Sequence, residues 1–388
     1  MLRKRIRLGW ITTWNTKCGI ASYSSYLIQY LPSAYALRIL ASNQDYLLSE
    51  DGPEVIRCWE NSTVKNLDEL EEAILSERLE VVVLQFQFAF FRLCPLGKLL
   101  EKLHARGIKT IIFFHATKDV NKPGLKVSLS QIAQSLELAD RLLVHSAADL
   151  HRLQILGLSH NAQLFPQGVH EVANPDVADL RGRLGICGRP VVATYGFLLP
   201  HKGIIELIEA FPLIQAEHPR ATLLLVNALH PKAPVKNLLR RCLARIECLG
   251  IKDRVLFVND YLDDDESFCL LGCADLLVYP YQQTSESSSA AIRLGLASYR
   301  PVAVPPIDIF EDVKELCHVL PGISPGEIGL GINQFLKNPL VLDSREEIRQ
   351  GWLKTHSWRT LAGRLDVMIQ DLARYDGDNG KESKSKVA

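Results

Sequence analysis

The stretch Tyr279–Val304, YPYQQTSESSSAAIRLGLASYRPVAV, decides how this chain is read. An apolar run, ADLLVYP, enters it and ends in a polar loop that holds one carboxylate, Glu286. The small hydroxyl residues Ser287, Ser288 and Ser289 follow, then the helical pattern AAIRLGLA, then a second apolar run opened by Pro301. The order is strand, loop, helix, strand. Such a loop brings a carboxylate and several backbone N–H groups to the mouth of a parallel sheet. Helix N-termini there attract anions, and doubly wound sheets bind ligands in crevices beyond the carboxyl ends of their strands. A site for a phosphorylated substrate is the first expectation.

Outward from this stretch the same alternation repeats. Strand patterns in the first half are IRLGWI from Ile6, ALRILA from Ala36, VVVLQFQ from Val81, KTIIFFH from Lys109, RLLVHS from Arg141 and AQLFPQG from Ala162. Helical patterns lie between them: GIASYSSYLIQYL, NLDELEEAILSERL, LGKLLEKLHARG, LSQIAQSLELA and AADLHRLQILG. Alternation of this kind predicts a parallel doubly wound sheet, and near-continuous Val/Ile/Leu runs suit strands buried on both faces. A polar stretch rich in Pro and Gly, Val169–Pro190, reads as a linker. A second series starts at once with VVATYGF, GIIELIEAFPLIQAEH, ATLLLVN, VKNLLRRCLARIECLG, RVLFVND, DDESFCLLGC and DLLVYP. The expected fold is therefore α/β, two doubly wound Rossmann-like domains facing across a cleft. They span residues 1–172 and 188–343; a helical segment over 344–375 returns to brace the first domain, and a polar tail over 376–388 reads as disordered.

Composition sets the class. At 388 residues the chain exceeds one ordinary core, and 47% hydrophobic with 23% charged residues is the balance of a soluble globular protein. With 44 basic and 44 acidic residues there is no global pull towards nucleic acid. The nine cysteines are odd in number and contain no CxxC pair; Cys269 and Cys273 sit one helical turn apart in an apolar helix. Free thiols in a reducing cytosol fit this pattern better than a disulfide framework or a zinc site. The N-terminal MLRKRIRLGWITTW lacks the apolar segment of a signal peptide. Its basic residues Arg3, Lys4, Arg5 and Arg7 read as a solvated strand entry, with contact to a membrane surface as the alternative. The location expected is cytoplasmic, with peripheral contact at the inner membrane face left open.

Several segments carry chemistry. In TYGFLLPHKGIIELIEAF a strand ends at Gly196 and a Pro-containing turn places Lys202-Gly203 at a helix start. A lysine above a helix N-terminus suits a diphosphate, because amide dipoles and a mobile point charge converge on the same oxygens; a solvated lysine beside a capping glycine is the plain alternative. In ITTWNTKCGIASYSSYL, Gly19 opens a helix after the first strand and allows close approach of the backbone to a ligand. The pattern is not GxGxxG, so a dinucleotide site is not indicated. His115 and His145 end consecutive strands at the same carboxyl edge, where histidine is either structural or catalytic. Nothing in the spacing of His, Cys, Asp and Glu indicates a metal site.

Together, KCGIASYS, FFHATKD, LADRLLVHS, FPQGV, GFLLPHKG and ADLLVYPY…SES…LASYRPVAV resemble, in order and spacing over nearly the whole chain, the retaining GT-B glycosyltransferases. The group is the large group-1 (family 4) type, which includes sucrose synthases and many bacterial polysaccharide mannosyl- and glucosyltransferases. The resemblance implies transfer of a sugar, with retention at its anomeric carbon, from a nucleotide-sugar donor held mainly by the second domain. The acceptor, a glycan or lipid-linked glycan, is held mainly by the first. It implies that Lys202 holds the donor diphosphate, that His115 touches the sugar near the reacting carbon, and that Glu286 contacts a sugar hydroxyl. The amides after it, at Ser287 and Ser288, contact sugar or phosphate, and the loop of Gly19 closes on the phosphate. It further implies that no metal or other cofactor is needed, since lysine, arginine and helix dipoles take the charge of the leaving group.

Two positions depart from the family pattern. A second glutamate is usual eight positions after the first, and Leu294 stands there. An arginine is usual directly after the glycine matching Gly196, and Phe197 stands there, a loss of ~1–3 kcal/mol of leaving-group stabilisation unless replaced. Arg293 is the candidate replacement, within reach of the ribose or diphosphate if it points into the site; an exposed helix residue is the alternative. These departures keep open a second function, a catalytically impaired GT-B scaffold that binds a nucleotide or a partner protein. An epimerase or a phosphorylase on the same scaffold is a minor third.

Overall fold

Strands built from unbroken Val, Ile, Leu and Phe must be covered on both faces, and both main sheets of the computed structural model are covered in this way. The structure describes residues 5–61, 66–122, 125–172, 174–230, 235–284, 286, 288–338 and 343–382. Ser287, Arg3, Lys4 and the last six residues of the tail lie outside them. In chain order the strands are β1 Ile6–Thr12, β2 Tyr35–Ser42, β3 Val55–Trp59, β4 Val81–Phe86, β5 Lys109–Phe114, β6 Val120–Lys122, β7 Leu125–Val127, β8 Arg141–Val144 and β9 Ala162–Leu164. They continue with β10 Val191–Leu198, β11 Thr222–Leu229, β12 Val255–Val258, β13 Leu276–Val278, β14 Val302–Val304 and β15 His318–Val319. The helices are α1 Gly19–Gln29, α2 Asp68–Ser76, α3 Leu93–Ala105, α4 Ala133–Glu137, α5 Ala147–Ile155, α6 Ala178–Arg183 and α7 Ile204–Glu217. The rest are α8 Lys236–Cys248, α9 Asp264–Gly272, α10 Ala290–Ala297, α11 Pro325–Lys337, α12 Asp343–Thr355 and α13 Trp358–Glu382.

The chain divides into two units. The first comprises Met1–Gly168, Ser285–Ser288 and Trp358–Ala388. Its seven-stranded sheet has the order β3-β2-β1-β4-β5-β8-β9, parallel throughout. The order reverses direction at β1/β4, which is the topological switch point of a doubly wound sheet. Side chains alternate between the faces. Trp10, Val83, Phe113 and Leu143 pack under α1 and α13, while Ile11, Leu84, Phe114 and Val144 pack under α2, α3 and α5. Leu361, Leu365 and Ile369 of α13 are fully buried there, so the last helix of the chain completes the cover that α1 begins.

The second unit comprises Val169–Thr284 and Ser289–Ser357. Its six strands run β12-β11-β10-β13-β14-β15, again all parallel, with the switch point at β10/β13. Helices α7, α8 and α11 cover one face, and α9, α10 and α12 the other. The helical stretch over 344–375 therefore falls into two parts. Leu353 of α12 belongs to the second core, whereas Trp358 opens the helix of the first. Trp358 packs directly on Gly168, where an added Cβ would come well within 3.0 Å of the indole. The last helix runs on to Glu382, past Tyr375. All nine cysteines are free thiols, and among the described residues no helix is long and apolar enough to cross a membrane.

Candidate functional site

The carboxyl edge of the second sheet is built around its switch point. Near the end of β10 stands Gly196, which has φ 127° and leaves only 3.2 Å between an added Cβ and Ala291 of α10. After β10 the turn Pro200–Lys202 leads into Gly203, at φ 69° and directly against the Pro280 carbonyl, so that any side chain there would collide. Glycine is required at that position, and it pins the lysine turn to the loop that follows β13. Gln282 N–H donates to the His201 carbonyl at 2.8 Å and completes the pinning. As a result Lys202, only 8% exposed, lies with its Nζ 4.1 Å above the Tyr281 ring. The Tyr281 hydroxyl and Ser289 Oγ are 2.9 Å apart. Ser289 caps α10 by accepting from Ile292 N–H.

Two helix N-termini thus flank one ammonium group. Of the two, α7 has no side-chain cap and carries Glu206 in its first turn, and α10 is capped by Ser289 and has no acidic residue in its first turn. These are the electrostatics of an anion site. Phe197, where the family pattern has arginine, stacks on Tyr261 with centroids 5.9 Å apart and meets His230 edge-on at 5.1 Å. Phe197 lies at the end of β10, and His230 and Tyr261 follow β11 and β12, its neighbours in the sheet.

Arg293 is placed differently from the sequence expectation. It is 2% exposed, donates from Nη1 to the Ser289 carbonyl at 2.9 Å, and pairs through Nη2 with Asp312. The reason is the direction of helical side chains, which lean towards the N-terminus, and the need of a buried guanidinium for an anionic partner. Arg293 therefore braces the start of α10 from beneath. Leu294 lies 8% exposed in the second core.

At the carboxyl edge of the first sheet a polar tier crosses four adjacent strands. Thr12, Gln85, His115 and His145 each follow apolar residues on the same face of β1, β4, β5 and β8. Thr12 and Ser24 share a hydrogen bond of 2.8 Å that ties α1 to the tier. His145 Nδ1 donates to the Phe165 carbonyl at 2.9 Å, His145 Nε2 is 3.3 Å from His115 Nδ1, and His115 Nε2 is 2.8 Å from the Gln85 side-chain amide. Both ring nitrogens of His115 are thereby engaged within the first unit. Burial, and after it the neighbouring His145, hold the His115 imidazole well below its usual range. Tyr23 stands edge-on to His115 with ring centroids 5.0 Å apart.

Beside this tier, Asp149 is fully buried at the start of α5. It accepts from Thr117 and Ser146 hydroxyls and from Arg152 Nη2 at 2.7 Å. Gly19 is exposed, with nothing within 4 Å of an added Cβ, so no packing demands glycine there and space before α1 is kept open. Glu286 and Ser288 are half-buried, and the Ser288 hydroxyl is buried without a hydrogen-bond partner.

The structure thus brings Gly196, Lys202 and the cap of α10 together in the second unit, and engages His115 in a chain of polar groups in the first. Sequence reasoning missed Gln85, Tyr281, Ser289 as a cap, and Asp312. Gln85 had a signal, as the polar residue inside the buried run VVVLQF. Asp312 had none, because its partner is known only once the chain has folded. Among the described residues no group of three or more His, Cys, Asp or Glu side chains could hold a metal ion.

With this geometry in place, comparison with known proteins is informative. No family model matches the sequence, and no curated protein does. Solved structures match over nearly full length. Sucrose-phosphate synthase from Thermosynechococcus elongatus is 16% identical with a TM-score of 0.73, covering 95% of this chain and 99% of that one. A UDP-forming α,α-trehalose-phosphate synthase from Burkholderia xenovorans, solved with glucose-6-phosphate, is 11% identical with a TM-score of 0.70, covering 94% and 99%. HepE from Anabaena, solved with UDP-glucose, is 14% identical with a TM-score of 0.67, covering 95% and 100%. The fold is GT-B. Identities this low establish the GT-B fold and nothing finer, and the expectation of an α/β chain with two doubly wound sheets is borne out.

Proposed function

We propose that the chain is a glycosyltransferase that moves a hexosyl group from a nucleotide-sugar donor, with retention at the anomeric carbon, to a glycan or lipid-linked glycan acceptor. One observation carries this reading: Lys202, the uncapped start of α7 and the Ser289-capped start of α10 converge at the switch point of the second sheet. A departing nucleoside diphosphate gains charge as the glycosidic bond breaks, and fixed dipoles with one ammonium stabilise it without reorganising. A UDP donor is supported by two fold relatives, one solved with UDP-glucose and one described as UDP-forming.

In this reading Gly196, Lys202, Ser287 and Ser288 hold the donor, Gly19 closes on its phosphate, and His115 and Glu286 meet the sugar. Arg293 acts by positioning α10 rather than by touching the nucleotide. The reaction needs no metal, the work belongs to polysaccharide biosynthesis, and the enzyme acts in the cytoplasm, with peripheral membrane contact through the first unit as an alternative to a freely soluble state.

A second reading has specific support. Phe197 and Tyr261 form an aromatic stack where a diphosphate-binding arginine is usual, and Arg293 is committed to Asp312. Both fit a scaffold that binds nucleotide without transfer. A panel of labelled UDP-, GDP- and ADP-sugars separates the two. Nucleotide release with wild type, weakened by Lys202→Met, supports the enzyme; tight nucleotide binding with complete inertness supports the scaffold.

A further inference from the structure

The polar tier of the first unit has a hydrogen-bond ledger that closes in only two ways. The Phe165 carbonyl can only accept, so His145 Nδ1 carries a proton. If the pair is neutral, His145 Nε2 is then a lone pair and accepts from His115 Nδ1–H across 3.3 Å. That leaves His115 Nε2 as a lone pair facing the Gln85 amide at 2.8 Å. An amide carbonyl there would set acceptor against acceptor. With Gln85 Oε1 towards His115, the pair must hold one extra proton; with the Gln85 NH2 group towards it, the pair is neutral and each contact along the chain from Gln85 to Phe165 has one donor and one acceptor.

The surroundings select between these states. Gln85 is fully buried, and with Oε1 towards His115 its Nε2 is left without a hydrogen-bond partner. Rotating the amide by half a turn satisfies that nitrogen on His115. Around the pair stand Tyr23 from α1, Phe113 from β5 and the Phe165 carbonyl, with Trp358 of α13 against Tyr23. Of these Tyr23 titrates, and burial keeps its hydroxyl protonated far above neutral pH. An imidazolium in so apolar a setting is costly.

We propose that Gln85 is a positioning residue that turns its amide NH2 group to His115 Nε2, fixing His115 as the neutral Nδ1–H tautomer in a directional chain Gln85→His115→His145→Phe165 carbonyl. Both imidazole nitrogens are then spent inside the first unit. His115 acts on any ligand through its backbone and ring edge, not as a general acid or base. The proposal involves the first unit alone and stands whether or not the chain transfers sugar.

Long-range nitrogen–proton NMR of the full chain labelled at histidine tests it, with signals assigned by their loss in His115→Asn and His145→Asn. At neutral pH His115 is expected to show a bare Nε2 and a protonated Nδ1. In Gln85→Glu, whose carboxylate must accept, Nε2 is expected to become protonated. In Gln85→Leu, which tolerates the apolar setting, the bare Nε2 is expected to move to the position of a nitrogen without a hydrogen bond. A protonated Nε2 in wild type, or identical His115 spectra in wild type and both variants, overturns the proposal.

Discussion

Gly203 and Gly250 share one backbone conformation and differ in what surrounds them, which makes them a matched pair. Their φ angles are 69° and 65°. An added Cβ at Gly250 meets nothing within 4 Å, whereas at Gly203 it runs into the Pro280 carbonyl. Alanine at either site carries the left-handed penalty, about 1–2 kcal/mol. Only Gly203→Ala adds the cost of forcing two backbone segments apart, about 1–3 kcal/mol. In a unit of this size the difference amounts to roughly 2–12 °C in melting temperature. Because Gly203 follows Lys202 and Pro280 precedes Tyr281, the same displacement pulls the ammonium away from the ring it rests on. Thermal unfolding and titration with nucleotide are the assays. Gly203→Ala is expected to melt lower than Gly250→Ala and to bind nucleotide at least about tenfold more weakly, a loss of about 1.4 kcal/mol. Equal melting temperatures with equal affinities would refute the idea that this contact sets the position of Lys202.

Other expectations follow from the same geometry. Arg293→Ala leaves Asp312 without its partner and should cost about 2–4 kcal/mol, trimmed from the fully buried case because Asp312 is 24% exposed. If Arg293 only braces α10, Asp312→Ala reproduces both its loss of stability and its loss of nucleotide affinity; if Arg293 touches nucleotide, the affinity loss appears in Arg293→Ala alone. For Asp149, burial pushes the carboxyl up, but hydrogen bonds from Ser146, Thr117 and Arg152 prevail and its pKa is lowered. Its stabilisation is present above the unfolded value of about 3.9 and is lost as pH falls through the folded one, so Asp149→Asn should flatten the acid limb of the stability curve below roughly pH 4. His115 acts in the same direction in a different window: its lowered pKa lets the unfolded chain bind more protons below about pH 6.5. Stability should therefore fall as pH drops through that range, and His115→Gln should remove part of the slope. Saturating UDP, GDP or ADP should raise apparent stability by about 2.7 kcal/mol at a hundredfold excess over Kd for the nucleotide that fits.

The long strands were legible because burial on both faces leaves no polar interruption, as in VVVLQF and ATLLLVN. Short or mixed strands were not. β3, VIRCW, carries Arg57, whose guanidinium is tied to Asp51, and it shows no apolar run. β15 is two residues long and is a strand only by pairing with β14. The division between α12 and α13 was hidden because both are amphipathic; the break at Ser357 reflects which core each face fits. In the site, Lys202 and Gly203 were legible as a lysine and a glycine at a helix start, a local pattern. The pairing of Arg293 with Asp312 was not, since it joins residues 19 positions apart through a turn that periodicity does not report. The commitment of both His115 nitrogens was likewise invisible, because it depends on residues 30 positions away on either side.

In the proposed reaction Lys202 and the helix starts beside it hold a nucleoside diphosphate while its sugar is transferred. Incubation of wild type and Lys202→Met with labelled nucleotide-sugars, following diphosphate release and the anomeric configuration of the product, tests this most directly. Release with retention is expected in wild type, with a drop of roughly 10–150-fold in Lys202→Met, the worth of a charged contact of about 1.5–3 kcal/mol. Release that is undiminished in Lys202→Met, or a product of inverted configuration, would contradict it.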